Sequence, residues 1–239
     1  MSKNNVALIA GKSAVGKSAS LRNIKDQGGV LYLNCESNKD LPFNHNFNAR
    51  VITDPLAVPG YIGSWESKPE IHTIVVDTLD FMMDQYESQY VLTSSNSMKM
   101  WGEYAQFFKR LMQDQVAKSS KNIVFLAHTS DVLNEAEMVN ETLVKVKGSL
   151  MNSGIESWFC TVIAAKKLPL AKVQAYTNPM LNITEDDEML GLKYVFQTKL
   201  TKDTVNERIR SKLGLWNKEE TYIDNDVQLV LDRLNEYYK

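Results

Sequence analysis

The sequence contains very little cysteine: Cys35 and Cys160 are the only two in 239 residues. Two cysteines exclude a disulfide framework and a cysteine-rich zinc site. Apolar runs long enough to cross a bilayer are also missing, and residues 1–5 are polar, unlike the start of a signal peptide. We therefore expect a cytoplasmic protein without a membrane partner.

An excess of charge of either sign is missing as well. Lysine and arginine total 27 and aspartate and glutamate 29, which gives a formal net charge of −2. A nearly neutral chain has no overall field that attracts nucleic acid, so any nucleic-acid site must be a local basic patch. The length and the hydrophobic content of 44% suit at most two small domains, or one α/β domain with an appendage. We assign residues 1–239 to it, with an amphipathic helix at about 226–237.

What the sequence does contain is a phosphate-binding loop. Residues 11–18 read GKSAVGKS, the pattern G-x-x-x-x-G-K-S, between an apolar strand and a helix that starts at Ser18. Backbone N–H groups of such a loop surround the phosphates, and the helix adds the positive end of its dipole. Lys17 would bind the β- and γ-phosphates, and the Ser18 hydroxyl would ligate Mg²⁺. The predicted contacts with ATP are Gly11, Ser13, Ala14, Val15, Gly16, Lys17, Ser18 and Ala19.

Polar side chains follow three further predicted strands. Asp77 ends one of them in the Walker B pattern and should hold Mg²⁺ directly or through water, whereas Asp80 is expected to be a helix N-terminal residue. Glu36 follows another and either activates the water that attacks the γ-phosphate or is a solvated loop residue. His128 lies at the tip of a third predicted strand. It either contacts the γ-phosphate and transmits its presence to the following loop, or it has only a structural role. The predicted catalytic residues are Lys17, Glu36 and His128.

Apolar periodicity places the other elements. Strands are predicted at 6–10, 30–34, 50–53, 71–77, 122–127, 157–165 and 193–200. Helices are predicted near 61–65 and at 81–90 and 98–118. Two stretches are predicted to be irregular, because 131–153 shows no clear period and 176–191 is polar, with an acidic cluster at 185–188.

Two basic stretches lie late in the chain. Five lysines and one acid fall between Lys145 and Lys172, and five basic residues fall between Lys199 and Lys212. The second stretch is interpreted as a basic hairpin. Such a hairpin is either a solvated edge that discourages aggregation or a source of a cation for a neighbouring subunit.

The order of these features resembles the core of the RecA superfamily. Residues 31–36, LYLNCE, look like that family's strand ending in the catalytic glutamate. The similarity covers most of residues 5–215 and is nearest to the small, core-only phage ATPases implicated in single-strand annealing and recombination. His128 departs from the pattern, since RecA itself carries glutamine there. The resemblance implies an α/β, RecA-like P-loop NTPase fold: a mostly parallel central sheet flanked by helices, with an antiparallel C-terminal hairpin.

The resemblance also implies partners. Residues 147–154 lie where the family has its second DNA-binding loop, which makes Lys145, Lys147 and Gly148 candidate DNA contacts. Residues 196–210 lie where the family reaches a neighbouring subunit's ATP. The candidates for this contact in trans are Lys199, Lys202, Arg208 and Arg210.

The sequence thus predicts an ATP-dependent protein that binds single-stranded DNA and promotes homologous recombination or strand annealing. It would use ATP and Mg²⁺, hydrolyse ATP at subunit interfaces, and assemble into a ring or filament, with a single-strand-binding protein as a further candidate partner. One alternative is a P-loop kinase of a small molecule, although a kinase needs a mobile, arginine-rich lid near the phosphates. The other is a DNA-binding module in which ATP is only a structural ligand.

Overall fold

A nine-stranded sheet forms the centre of the protein. The computed structural model describes residues 5–237, and within them the strand order is β3-β2-β4-β5-β1-β7-β8-β9, with β6 paired to the second half of β5. Neighbours from β3 to β7 are parallel, and β7, β8 and β9 are antiparallel. This confirms the predicted mostly parallel α/β sheet with antiparallel C-terminal strands. The strands are β1 (Val6–Gly11), β2 (Val30–Asn34), β3 (Asn48–Val51), β4 (Thr73–Asp77), β5 (Asn122–Asn134), β6 (Val139–Val144), β7 (Val162–Pro169), β8 (Leu192–Gln197) and β9 (Tyr222–Asp224).

Helices connect the strands. The α-helices are α1 (Ala57–Trp65), α2 (Leu79–Tyr86), α3 (Ser97–Arg110), α4 (Gly148–Ser153), α5 (Leu170–Val173), α6 (Glu185–Leu190) and α7 (Val227–Tyr237). Two of them continue as π-helical turns, α2 into Glu87–Val91 and α3 into Leu111–Gln115. Short 3₁₀ segments lie at Ser18–Leu21, Gln27–Gly29, Val116–Lys118, Ile155–Trp158 and Glu219–Thr221. None of the helices within residues 5–237 is long and apolar enough to cross a bilayer.

The sheet is covered on both faces, which explains the nearly continuous apolar runs of its inner strands. Successive side chains of a strand point to opposite faces. In β1, Leu8 accordingly packs with the buried side chains of α2 and α3, whereas Ile9 packs with those of α7. Phe125 and Phe196 are among the largest fully buried side chains and lie on the two opposite faces.

The register brings the carboxyl ends of the parallel strands to one edge. Gly11 at the end of β1 pairs with His128 in β5, and Asn34 at the end of β2 pairs with Asp77 at the end of β4. Open α/β sheets bind ligands outside this edge. The predicted functional residues therefore emerge on the same side of the sheet.

The predicted strand at 122–127 is too short. It continues past His128 to Asn134 and turns back into β6, so part of the stretch predicted to be irregular is a β-hairpin. Asn134 makes the turn, since its side-chain oxygen accepts hydrogen bonds from the backbone N–H groups of Ala136 and Glu137. The hairpin leaves most of its side chains half-buried or exposed, which is why its sequence shows no alternation.

Other boundaries differ for local reasons. The predicted strand at 157–165 begins only at Val162, because the Phe159 N–H still bonds back to the Glu156 carbonyl in a 3₁₀ turn. The strand predicted at 50–53 lies at Asn48–Val51, and the helix predicted near 61–65 begins at Ala57. After the P-loop, the expected helix is only the four-residue 3₁₀ segment Ser18–Leu21.

The acidic cluster at 185–188 is helical rather than a solvated loop. Thr184 and Asp187 form a capping box at the start of α6, and Gly191, with φ +65°, ends it. The expected basic hairpin is also wrong in its details: β8 ends at Gln197 and its hairpin partners are β7 and β9, so residues 199–212 form an irregular connection.

Candidate nucleotide site

The P-loop follows β1 as a tight turn, and two of its positions require glycine for different reasons. Gly16 has φ +84°, a left-handed conformation that side chains disfavour. Gly11 lies against β7, where an added Cβ would be 2.5 Å from the Ala165 carbonyl oxygen. The close approach of β1 to β7 therefore requires glycine at position 11.

The Lys17 amine lies inside the loop. Its Nζ donates hydrogen bonds to the carbonyls of Gly11 at 3.0 Å and Lys12 at 2.8 Å. Burial lowers its pKa to about 8, against the opposing attraction of Asp80, Asp77 and Glu36. Because the charged amine has only carbonyl partners in this position, triphosphate oxygens would be better partners for it.

Asp77 is buried beside the P-loop and has an unsatisfied oxygen. Its Oδ2 accepts a hydrogen bond from the Tyr32 hydroxyl at 2.8 Å, whereas Oδ1 has no hydrogen-bond partner among the described residues. Burial raises the pKa of the Asp77 carboxyl and the charge of Glu36 adds to this, while Tyr32, Ser18 and Lys17 oppose it. Asp77 Oδ1 is buried and accepts no hydrogen bond from the described residues, and the Asp77 carboxylate lies close to the Ser18 hydroxyl. Two such oxygen atoms are suitable ligands for a hard divalent cation.

The cation would need ligands from the nucleotide. Within residues 5–237, no cluster of three or more His, Cys, Asp or Glu side chains could hold a metal by itself. Mg²⁺ prefers one or two protein oxygens together with phosphates and water. Asp77 and Ser18 supply that number, so they remain the predicted magnesium ligands.

Glu36 lies at the mouth of the site, with its side chain largely buried. Its backbone N–H bonds to the Asn34 side chain at 2.9 Å, its Oε2 pairs with Lys39 Nζ at 2.9 Å, and the Thr78 hydroxyl lies 3.5 Å from Oε1. These contacts hold the carboxylate beside Asp77. A general base must be held in this way to accept a proton from a positioned water molecule.

His128 is fixed by Asp80, which the sequence predicts only as a helix N-terminal residue. Asp80 is 1% exposed, accepts a hydrogen bond from the His128 backbone N–H at 2.8 Å, and has Oδ2 3.0 Å from His128 Nδ1. Burial alone would raise the pKa of Asp80, but the hydrogen bonds and the charge of His128, together with a hydrogen bond from Thr78, hold the pKa below its usual value. The signal available in the sequence was an acid three residues after Asp77 in an otherwise apolar segment.

One cavity of about 240 Å³ lies beside the P-loop. Lys17, Glu36, Asp77 and His128 line it together, although they come from four different strands or the loops that follow them. Most of the predicted loop contacts line it as well: Ser13, Ala14, Gly16, Lys17, Ser18 and Ala19. Gly11 and Val15, the other two predicted contacts, do not line it.

A comparison with protein families agrees with this geometry. The family model described as "AAA domain" matches residues 3–179, about three quarters of the chain. The chain belongs to the AAA domain family. Membership in the AAA domain family supports nucleotide binding with a divalent metal and, in general, ATP hydrolysis. A search of curated proteins found no match.

The predicted DNA contacts lie where the β5–β6 hairpin of the AAA domain leads into α4. Lys145 and Gly148 are exposed, and Gly148, with φ +61°, begins α4. Lys147 Nζ is paired with Glu87 Oε2 at 2.6 Å, although the lysine side chain is still half-exposed. DNA phosphates would therefore have to compete with Glu87 for Lys147.

The basic residues predicted to act in trans differ in their exposure and in their contacts within the chain. Lys199, Lys202 and Arg210 are exposed, and Lys199 Nζ makes one hydrogen bond, to a backbone carbonyl at 3.3 Å. Arg208 is bound within its own chain, with Nη2 3.0 Å from Glu141 Oε2 and Nη1 3.8 Å from Glu156 Oε2. Arg208 is thus engaged in cis, and reaching another subunit would require both contacts to break.

Proposed function

We propose that this protein is an ATPase that binds single-stranded DNA and promotes homologous recombination or strand annealing. The AAA domain and the cavity shared by Lys17, Glu36, Asp77 and His128 support the ATPase part. In that cavity Lys17 stabilises charge on the phosphates, Glu36 activates water, and the buried Asp77 holds the divalent ion.

One observation carries the DNA part. The His128 carbonyl accepts a hydrogen bond from the Lys145 backbone N–H at 2.8 Å, so the predicted phosphate sensor and the start of the basic segment are adjacent. They are also the two ends of the β5–β6 hairpin. A shift of His128 on binding the γ-phosphate would act directly on Lys145. This is the coupling that an ATP-dependent DNA-binding protein needs.

The DNA site is tested by the salt dependence of binding. Each phosphate contact to a single strand contributes about −0.7 to the slope of log K against log salt concentration. Lys145→Ala/Lys147→Ala should therefore weaken binding and flatten the slope by about 1.4. Lys118→Ala, which removes an exposed lysine from another part of the chain, is the control and should leave both quantities unchanged. If single-stranded DNA does not bind, or binds with the same slope in both variants, the proposed site is wrong.

Turnover separates the proposal from its alternatives. We expect ATP hydrolysis that increases when single-stranded DNA is added, because the DNA segment and the sensor are linked. Transfer of the γ-phosphate to a small molecule, with no response to DNA, would indicate a kinase. ATP that binds and is not consumed would indicate a structural ligand.

Assembly completes the proposal. A cation from a neighbouring subunit would stabilise the transferring phosphoryl group, and the exposed Lys199 and Lys202 are better placed for this than Arg208. Mixing Lys17→Ala protein with Lys199→Ala/Lys202→Ala protein should restore turnover. In the mixture, some interfaces combine an intact P-loop from one subunit with the intact Lys199 and Lys202 of its neighbour. The same mixture made with Arg208→Ala/Arg210→Ala protein tests the other pair. A dilute monomer with full activity, or failure of both mixtures, would contradict an interfacial site in a ring or filament.

A further inference from the structure

A second cavity, of about 700 Å³, adjoins the P-loop on the side of β8 and β9. Ala14, Gly16 and Ala19 line both this cavity and the one that holds Lys17 and Asp77. The two cavities therefore meet along the outer edge of the loop. A nucleoside triphosphate with its phosphates at Lys17 would place its nucleoside across this shared edge.

We propose that this second cavity binds the nucleoside of ATP and that the ring of Tyr194 is its stacking surface. The inference rests on the proposed ATP site and assigns residues to a part of the ligand that the P-loop does not reach. Residues 182–225, which supply the far wall, lie beyond the part of the chain matched by the AAA domain.

Tyr194 is already in place beside the loop. A Cβ added at Gly16 would lie 3.4 Å from Tyr194 Cδ1 and 3.3 Å from Asn225 Oδ1, so both side chains lie next to Gly16 of the P-loop. Tyr194 is nevertheless 41% exposed. A tyrosine ring that lies beside the loop and is partly exposed offers a flat surface on which a base can stack.

Arg22 provides a second fixed group. Its Nη1 donates to the carbonyls of Ala19 and Asn225, at 2.9 Å in each case. The guanidinium is thus anchored to both walls of the cavity, to the P-loop segment and to the end of β9. A planar cation held in this way is suited to lie against the π-face of a base.

Acceptors line the far wall. Asp187 and Asp224 share Lys193 Nζ, at 2.8 and 3.1 Å, so two carboxylates surround one ammonium. Carboxylates accept hydrogen bonds and repel carbonyl edges. This wall therefore favours the hydroxyl and amino groups of a nucleoside such as adenosine.

The test compares two ligands that share the phosphates and differ in the nucleoside. We expect the wild-type protein to bind Mg-ATP more tightly than magnesium tripolyphosphate in a titration calorimeter. Tyr194→Ala should weaken ATP binding by about 5- to 150-fold, the usual effect of removing a stacking partner, and leave tripolyphosphate binding unchanged. Tyr194→Phe keeps the ring and should bind ATP like the wild type.

Tyr237→Ala is the matched control, since Tyr237 is 42% exposed and lies at the far end of α7. It should change neither affinity. Equal affinity of the wild-type protein for ATP and tripolyphosphate would overturn the nucleoside site, as would equal weakening of both ligands by Tyr194→Ala. Failure of the wild-type protein to bind either ligand would instead overturn the proposed ATP site itself.

Discussion

The buried Lys17 makes ATP affinity depend on pH in a defined direction. In the free protein burial lowers the pKa of this amine to about 8. Triphosphate oxygens favour the charged amine, so binding must raise the pKa again. Above about pH 8 each binding event then takes up a proton, and the affinity for ATP should fall tenfold for each further pH unit. From about pH 7.5 to about pH 9.5 we expect a loss of about 25-fold.

Titration calorimetry measures both parts of this expectation. The affinity gives the pH profile, and repeating the titration in buffers of different ionisation enthalpy counts the protons taken up, about 0.9 per ATP at about pH 9. Lys17→Arg is the control, because a guanidinium stays charged throughout this range and its profile should be flat. Circular dichroism at each pH confirms that the protein is folded. Constant wild-type affinity without proton uptake would refute the reasoning.

Three substitutions test other parts of the site. Glu36→Gln should retain ATP binding and slow hydrolysis by about 10²- to 10⁴-fold, as expected for a lost general base; turnover within a few-fold of wild type would leave Glu36 a loop residue. Asp80→Asn should slow turnover by about tenfold because it releases His128. The double variant Asp80→Asn/His128→Ala should be no slower than the slower single variant. Additive losses of activity would show that the two residues act independently. Gly11→Ala should lower the free energy of unfolding in urea by about 1–3 kcal/mol because its Cβ would meet the backbone of β7. Gly28→Ala, with nothing within 4 Å of the added atom, is the control, and equal stability of the two would contradict the close packing of β1 on β7.

The elements that could be predicted from the sequence are those with a clear apolar pattern, such as the strand β2 and the amphipathic helix α7, expected at about 226–237 and observed at Val227–Tyr237. The strand predicted at 30–34 has the bounds that the structure shows, because every residue of β2 is buried and its first four residues are apolar. The β5–β6 hairpin was missed because its half-exposed residues carry no such pattern. The capping box of α6 was legible as Thr184 followed by Asp187, but the acidic composition of the segment suggested a loop instead.

The sequence by itself determined the P-loop and the positions of Glu36 and Asp77 at strand ends, whereas His128, expected at a strand tip, lies within β5. A phosphate-binding loop is a continuous segment, and the ends of parallel strands meet at one edge whatever the details of packing. Only the tertiary structure decided that Asp80 holds His128 and that Glu141 and Glu156 hold Arg208 within the chain. The members of these groups are separated by dozens of residues. Local periodicity carries no information about which distant side chains the packing of the sheet and its connections will bring within hydrogen-bonding distance.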